Sequence, residues 1–133
     1  MSEENVEIVR RCYEFWESRD ESLIAELAYP DVVWDLSRAV FNPGVHVGHD
    51  ALTRRVEQAD AMWEGFCVDP EEFFEGGEYV VCAARMTGRG RQSGVPTEMR
   101  SFDVWQLRGG KVVRLTSGYR KRSDALEAAG LSE

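Results

Sequence analysis

The sequence predicts an α+β domain in which N-terminal helices are enclosed by a curved, cone-shaped antiparallel sheet. Three observations carry this. Amphipathic helical stretches fill the first 65 residues, β-branched and aromatic runs separated by Gly-Gly pairs fill 66–120, and a short helix closes the chain. At 133 residues the chain has room for one core, so 1–133 is read as a single domain.

The first helix is set by Val6, Ile8, Val9, Cys12, Tyr13, Phe15 and Trp16, which share about half a helical wheel opposite Glu7, Arg10, Arg11, Glu14 and Glu17. Asp20 is placed to cap a second helix carrying Leu23, Ile24 and Leu27, and Tyr29-Pro30 should stop it, because the residue before proline avoids helical backbone. Asp31 to Asp35 reads as a short strand, and Ser37 to Val47, with its Asn42-Pro43-Gly44, as a loop. A third helix runs from Gly48 to near Gly65, with Leu52, Val56 and Ala59 on its apolar side and Arg54, Arg55, Glu57 and Asp60 assigned to the polar side. Four long strands follow: Phe66 to Glu75, Tyr79 to Gly88, Pro96 to Leu107 and Lys111 to Tyr119. Gly76-Gly77 and Gly109-Gly110 mark tight hairpins, which need positive φ, and Gly88 to Gly94 a longer one. Ser123 should cap a last helix through Ala129, ended by Gly130.

Composition removes several classes of function. Sixteen basic against 24 acidic residues give a net charge of −8, which opposes nucleic-acid binding. No apolar run approaches a membrane span, the opening Met-Ser-Glu-Glu-Asn is acidic, and Cys12, Cys67 and Cys82 form no C-x-x-C pair. A cytoplasmic protein that does not engage membranes is expected. His46 and His49 form an H-x-x-H with no further ligands in fixed spacing, so no metal site is assigned, although His46 has some claim to an acid/base role at a pocket rim. Gly88-Arg-Gly-Arg lies in a hairpin and is not a dinucleotide fingerprint, and no cofactor motif is found.

Period-two alternation places Met99, Ser101, Asp103, Trp105 and Leu107 on one face of the third long strand, opposite Arg100, Phe102, Val104 and Gln106. The first set is taken as the interior, which surrounds Asp103 with apolar neighbours; such a carboxyl must be hydrogen-bonded, paired or protonated. Leu115, Ser117 and Tyr119 are assigned to the same interior, Trp16 to the helix face that covers it, and Arg85 becomes a partner for Asp103 if its face is internal. The other sheet face, with Arg100, Phe102, Val104 and Gln106 beside Val112, Arg114 and Thr116, suits packing against a second copy of the chain.

Asn5-Val-Glu-Ile-Val-Arg-Arg-Cys-Tyr-Glu-Phe-Trp, Pro30-Asp-Val-Val-Trp-Asp35 and Val104-Trp-Gln-Leu-Arg-Gly-Gly-Lys-Val-Val-Arg-Leu resemble, over nearly the whole chain, the SnoaL-like branch of the superfamily named after nuclear transport factor two. The resemblance implies a cone with cystatin-like topology around a pocket, a homodimer, and activities that range from polyketide cyclase and steroid isomerase to epoxide hydrolase. It also implies Asp35 as a general base and Asp103 as an acid or oxyanion stabiliser. The isomerase tyrosine falls on Cys12 in this register, leaving Tyr13 about 100° round the helix.

Two carboxylates with separated proton affinities suit enolate chemistry on a hydrophobic carbonyl compound without a cofactor. The site expected is therefore Asp35 and Asp103 as catalytic groups, with Trp16, Arg85, Met99, Ser101, Trp105, Leu115 and Tyr119 against a hydrophobic small molecule. The rival readings are a binding domain without chemistry, an interaction module whose pocket is filled by side chains, and an epoxide hydrolase using the aspartates with Arg85.

Overall fold

A computed structural model describes residues 2–132. Helices α1 (Ser2–Ser18) and α2 (Glu21–Leu27) lead into strands β1 (Ala28–Asp35) and β2 (Val45–Val47) and helix α3 (His49–Met62). Strands β3 (Trp63–Gly76), β4 (Tyr79–Gly90), β5 (Pro96–Arg108) and β6 (Lys111–Tyr119) follow, then helix α4 (Arg122–Ala128). The strands form one sheet ordered β2-β1-β6-β5-β4-β3.

The predicted hairpins are present. Gly109 and Gly110 lie at φ 60° and 81° between Arg108 and its partner Lys111, as a two-residue turn with both central residues left-handed requires. Asp20 caps α2 by accepting from the Ser22 N–H at 3.0 Å.

Several boundaries move because strand pairing claims residues that local pattern gave to helix or loop. Helix α2 stops at Leu27, before Pro30 can act, since Ala28 pairs with Val112. Helix α3 stops at Met62 because Trp63 is extended and pairs with Gly90. Val45–Val47, expected in a loop, forms an edge strand on β1. The sheet is also not wholly antiparallel: β1 runs parallel to β6. Helix α4 begins at Arg122 with Lys121 as its N-cap and no side-chain cap, so Ser123 does not have the role expected of it.

Two bulges on β6 control which side chains enter the cone. Leu107 pairs with Val112 but Gln106 with Arg114, and Asp103 pairs with Ser117 but Phe102 with Tyr119, so an extra β6 residue interrupts the alternation at each point. Val112 therefore joins the interior with Leu107, while Tyr119 turns to the outer face. Both assignments reverse the strict period-two expectation.

The main core lies between the helices and the inner sheet face, around Val9, Phe15, Trp34, Val80 and Leu107. A second cluster lies on the outer face, where α4 places Ala125, Leu126 and Ala129 over Val81 and Val104, flanked by Phe102 and Tyr119. Burying Leu126 alone contributes about 1.5–3 kcal/mol. The apolar half of the face expected to meet a second copy is thus covered by the chain's own last helix.

Candidate ligand pocket

The cone holds two adjoining chambers. The outer one, about 180 Å³, lies among Arg38 to Phe41, Met99, Arg100, Ser101, Gly118 and Arg120. The inner one, about 70 Å³, lies among Cys12, Tyr13, Trp16, Trp34, Asp103, Trp105 and Leu115. Phe41, Arg55, Met86 and Ser117 line both. This is smaller than the usual ligand cavity of about 300–1,000 Å³, so a compact occupant fits best.

Asp103 stands at the inner floor, 4% exposed. Its Oδ2 accepts from the Tyr13 hydroxyl at 2.6 Å and its Oδ1 from the Ser117 hydroxyl at 2.6 Å, with the Gly118 N–H as a further donor. The Trp105 Nε1–H donates to the Tyr13 oxygen at 2.9 Å, which extends the network across the chamber. Burial raises the Asp103 pKa above its usual 3.8 despite these three donors, because removing a carboxylate from water outweighs them. Burial also raises the Tyr13 phenol, and the adjacent Asp103 raises it further.

Tyr13 lies on the buried face that the helical pattern predicts, but its role as partner of Asp103 is not read from the sequence. An offset of one position does not carry it out of a buried arc half a wheel wide, so Cys12 and Tyr13 both face the interior, 3% and 5% exposed. Burial pushes the thiols of Cys12 and Cys82 up to about 12, so both remain protonated and unreactive at neutral pH.

Asp35 is not in the pocket. Val32 and Trp34 are the inward residues of β1, so Asp35 projects from the outer face, where its carboxylate accepts from the Arg114 Nη2 at 2.7 Å and from the Ser37 hydroxyl at 2.6 Å. Partial burial works against its charge, but the Ser37 bonds and Arg114 outweigh it and hold the pKa below the usual value. Asp35 and Asp103 therefore do not converge on one cavity. The alternation of Val32-Val33-Trp34-Asp35 contains the signal for this.

Arg85 is likewise external. Cys82, Ala84 and Met86 take the inward positions of β4, and Arg85 pairs with Glu98 at 2.8 Å across the outer face. Tyr119, turned out by the Gly118 bulge, lies under the Arg38 guanidinium, 4.2 Å from the ring centre. Trp16, Trp105 and Leu115 line the inner chamber, and Met99 and Ser101 the outer one. Ser101 Oγ is buried without a hydrogen-bond partner among the described residues.

Polarity predicts Arg55 on the outer side of α3, yet it is 8% exposed and lines both chambers. Its spacing from Leu52 (i+3) and to Ala59 (i+4) places it on the buried stripe, a signal that sorting by polarity concealed. Its Nη1 donates to the Asn42 carbonyl at 2.9 Å, and its guanidinium stands 3.8 Å from the centre of the Phe41 ring. Desolvation brings its pKa down to about 10.

Neither histidine lines these chambers; His49 Nε2 is 2.9 Å from the Ala28 carbonyl. Among the described residues no group of three or more His, Cys, Asp or Glu is arranged to hold a metal ion.

A mixed sheet coned around helices, with a polar floor in an apolar hollow, defines the class of nuclear transport factor two-like α+β domains. Within that class the chain belongs to the SnoaL-like domain family, which matches residues 9–115. Solved structures share the fold. They include a nuclear transport factor two-like protein from Burkholderia xenovorans LB400 (24% identity, 96% of this chain and 97% of that one, TM-score 0.76). A hypothetical protein with a ketosteroid isomerase-like fold from Catenulispora acidiphila DSM 44928, in complex with trimethylamine, is similar at 19% identity over 95% and 94%, TM-score 0.74. TerC, co-crystallised with polyporic acid, is similar at 22% identity over 94% and 96%, TM-score 0.74. No curated protein matches the chain.

Proposed function

We propose that the protein binds a compact, largely hydrophobic small molecule inside the cone, with the Asp103, Tyr13 and Ser117 group as its polar contact. The observation that carries this reading is the pair of adjoining chambers, walled by aromatic and aliphatic side chains and ending on one buried, hydrogen-bonded carboxyl. Apolar walls with a few convergent polar groups are what small-molecule sites have in common. The small organic molecules held by TerC and by the Catenulispora protein agree with this use of the fold. Met86 lines both chambers, so Met86→Trp should abolish quenching of tryptophan fluorescence by small aromatic fragments while leaving the circular dichroism spectrum intact. Unchanged quenching would overturn the reading.

A second reading is favoured by the raised proton affinity of Asp103. One buried carboxyl whose proton affinity is raised by desolvation can serve as both acid and base in an enolate reaction, with Tyr13 as a positioning residue. The mechanism that uses Asp35 as base is not retained, because Asp35 lies on the other side of the sheet. With a substrate in hand, Asp103→Asn should remove turnover and leave affinity within a few-fold, whereas Asp35→Asn should alter neither. Turnover retained in Asp103→Asn would leave binding alone.

A further inference from the structure

The lining of the cone is charged opposite to the protein. Among the described residues Arg55 lines both chambers, and Arg38, Arg100 and Arg120 border the outer one at its rim, against the one lining carboxyl of Asp103, in a chain of net charge −8. These arginines differ in their partners. Arg100 is paired with Glu71 and Glu98, and Arg38 is stacked on Tyr119. Arg55 is more than nine-tenths buried, and among the described residues no carboxylate lies within ion-pair distance of it.

A guanidinium presents five N–H donors in a planar fork, and the Asn42 carbonyl is the acceptor that the described protein supplies. The face of Phe41 offsets part of the desolvated charge and holds the plane in place, but it accepts no in-plane hydrogen bond. A buried cation is costly unless an anion completes it. Ser101 adds an independent observation, since this residue, 6% exposed, lines the outer chamber as Arg55 does, and its buried hydroxyl has no partner among the described residues.

We propose that the ligand is an organic acid with a compact ring body, its carboxylate or equivalent oxyanion held by Arg55 and Ser101 in the outer chamber and its rings directed toward Trp16, Trp34 and Trp105. This rests on the small-molecule reading given above and adds the charge and the orientation of the ligand. The fork of Arg55 matches a carboxylate in shape, and the site excludes enough water for that pairing to discriminate between acids and neutral molecules. The acid end points to the mouth, so the ring end enters the inner chamber, where a polar substituent on it meets the Asp103 group.

The test compares benzoate and 2-naphthoate with their neutral counterparts, benzyl alcohol and 2-naphthylmethanol, by tryptophan quenching and ligand-observed NMR. In the wild type the acids should bind roughly tenfold more tightly than the alcohols. Arg55→Gln should bring the two within about twofold by weakening the acids alone, and Ser101→Ala should weaken the acids several-fold. Because the Ser101 hydroxyl bonds nothing in the described protein, that variant remains informative if Arg55→Gln does not fold. Equal binding of acids and alcohols by the wild type would overturn the anion site and leave the pocket reading intact. An acid preference that survives both variants and disappears in Arg38→Gln or Arg120→Gln would assign the charge to the rim and overturn the role of Arg55. Binding of none of the four would overturn both readings.

Discussion

At the scale of the residue, the pocket floor is decided by the competition between desolvation and hydrogen bonding at Asp103. Its folded pKa lies above the unfolded one, so its contribution to stability is full below the usual 3.8 and is lost as pH rises through the folded value. Denaturant midpoints measured across that range should show Asp103→Asn gaining on the wild type as pH rises; a constant difference would mean that the carboxyl is not desolvated. Tyr13→Phe removes a donor to the carboxylate and leaves Trp105 Nε1–H without its acceptor. It should cost about 1–3 kcal/mol and shift the Asp103 titration further upward, as followed by carboxyl carbon NMR. Asp103 and its inward face were legible in the sequence because alternation on a strand bounded by Met99 and Leu107 leaves little freedom. Tyr13 lies on the predicted buried face but its bond to Asp103 is not legible there, and the charge of Arg55 hides its place on the buried stripe of α3. In both cases helix geometry was the better guide than the identity of the side chain.

At the scale of the element, β6 shows how one residue redirects a face. Gly118 has φ +105°, and a Cβ there would stand 2.9 Å from the Arg38 carbonyl carbon and oxygen. Only glycine meets both constraints, and the bulge it permits sends Ser117 and the Gly118 N–H to Asp103 while Tyr119 leaves the cone. Gly118→Ala should therefore lower stability by about 1–3 kcal/mol and displace the 38–41 segment, which the melting temperature and the affinity for aromatic fragments would together record. A melting temperature within a degree of the wild type would refute the close approach. The bulge has a sequence signal, a glycine inside a strand pattern, but its direction depends on the neighbouring strand, and strict alternation ignores it. The same limit applies to β2, where three residues carry too little periodicity to be separated from a loop.

At the scale of the whole molecule, the outer sheet face is divided between an apolar half under α4 and a polar half carrying Arg85, Glu98, Arg100 and Arg114. A homodimer through this sheet, proposed from the family resemblance, would have to use the polar half. Its association should weaken as salt rises, because exposed charges are screened over about a Debye length. Sedimentation at low and high ionic strength checks this, and a monomer at every concentration would remove the proposal. No described helix is long and apolar enough to cross a membrane. The sequence by itself determined the class of fold, the order of its elements and the burial of Asp103, because hydrophobic periodicity and turn glycines act locally and repeat along the chain. Tertiary structure alone decided that Asp35 pairs with Arg114 and that Tyr13 reaches Asp103. Those outcomes depend on strand register, bulges and the parallel seating of β1 on β6, which join residues about 80–90 positions apart and leave no local trace.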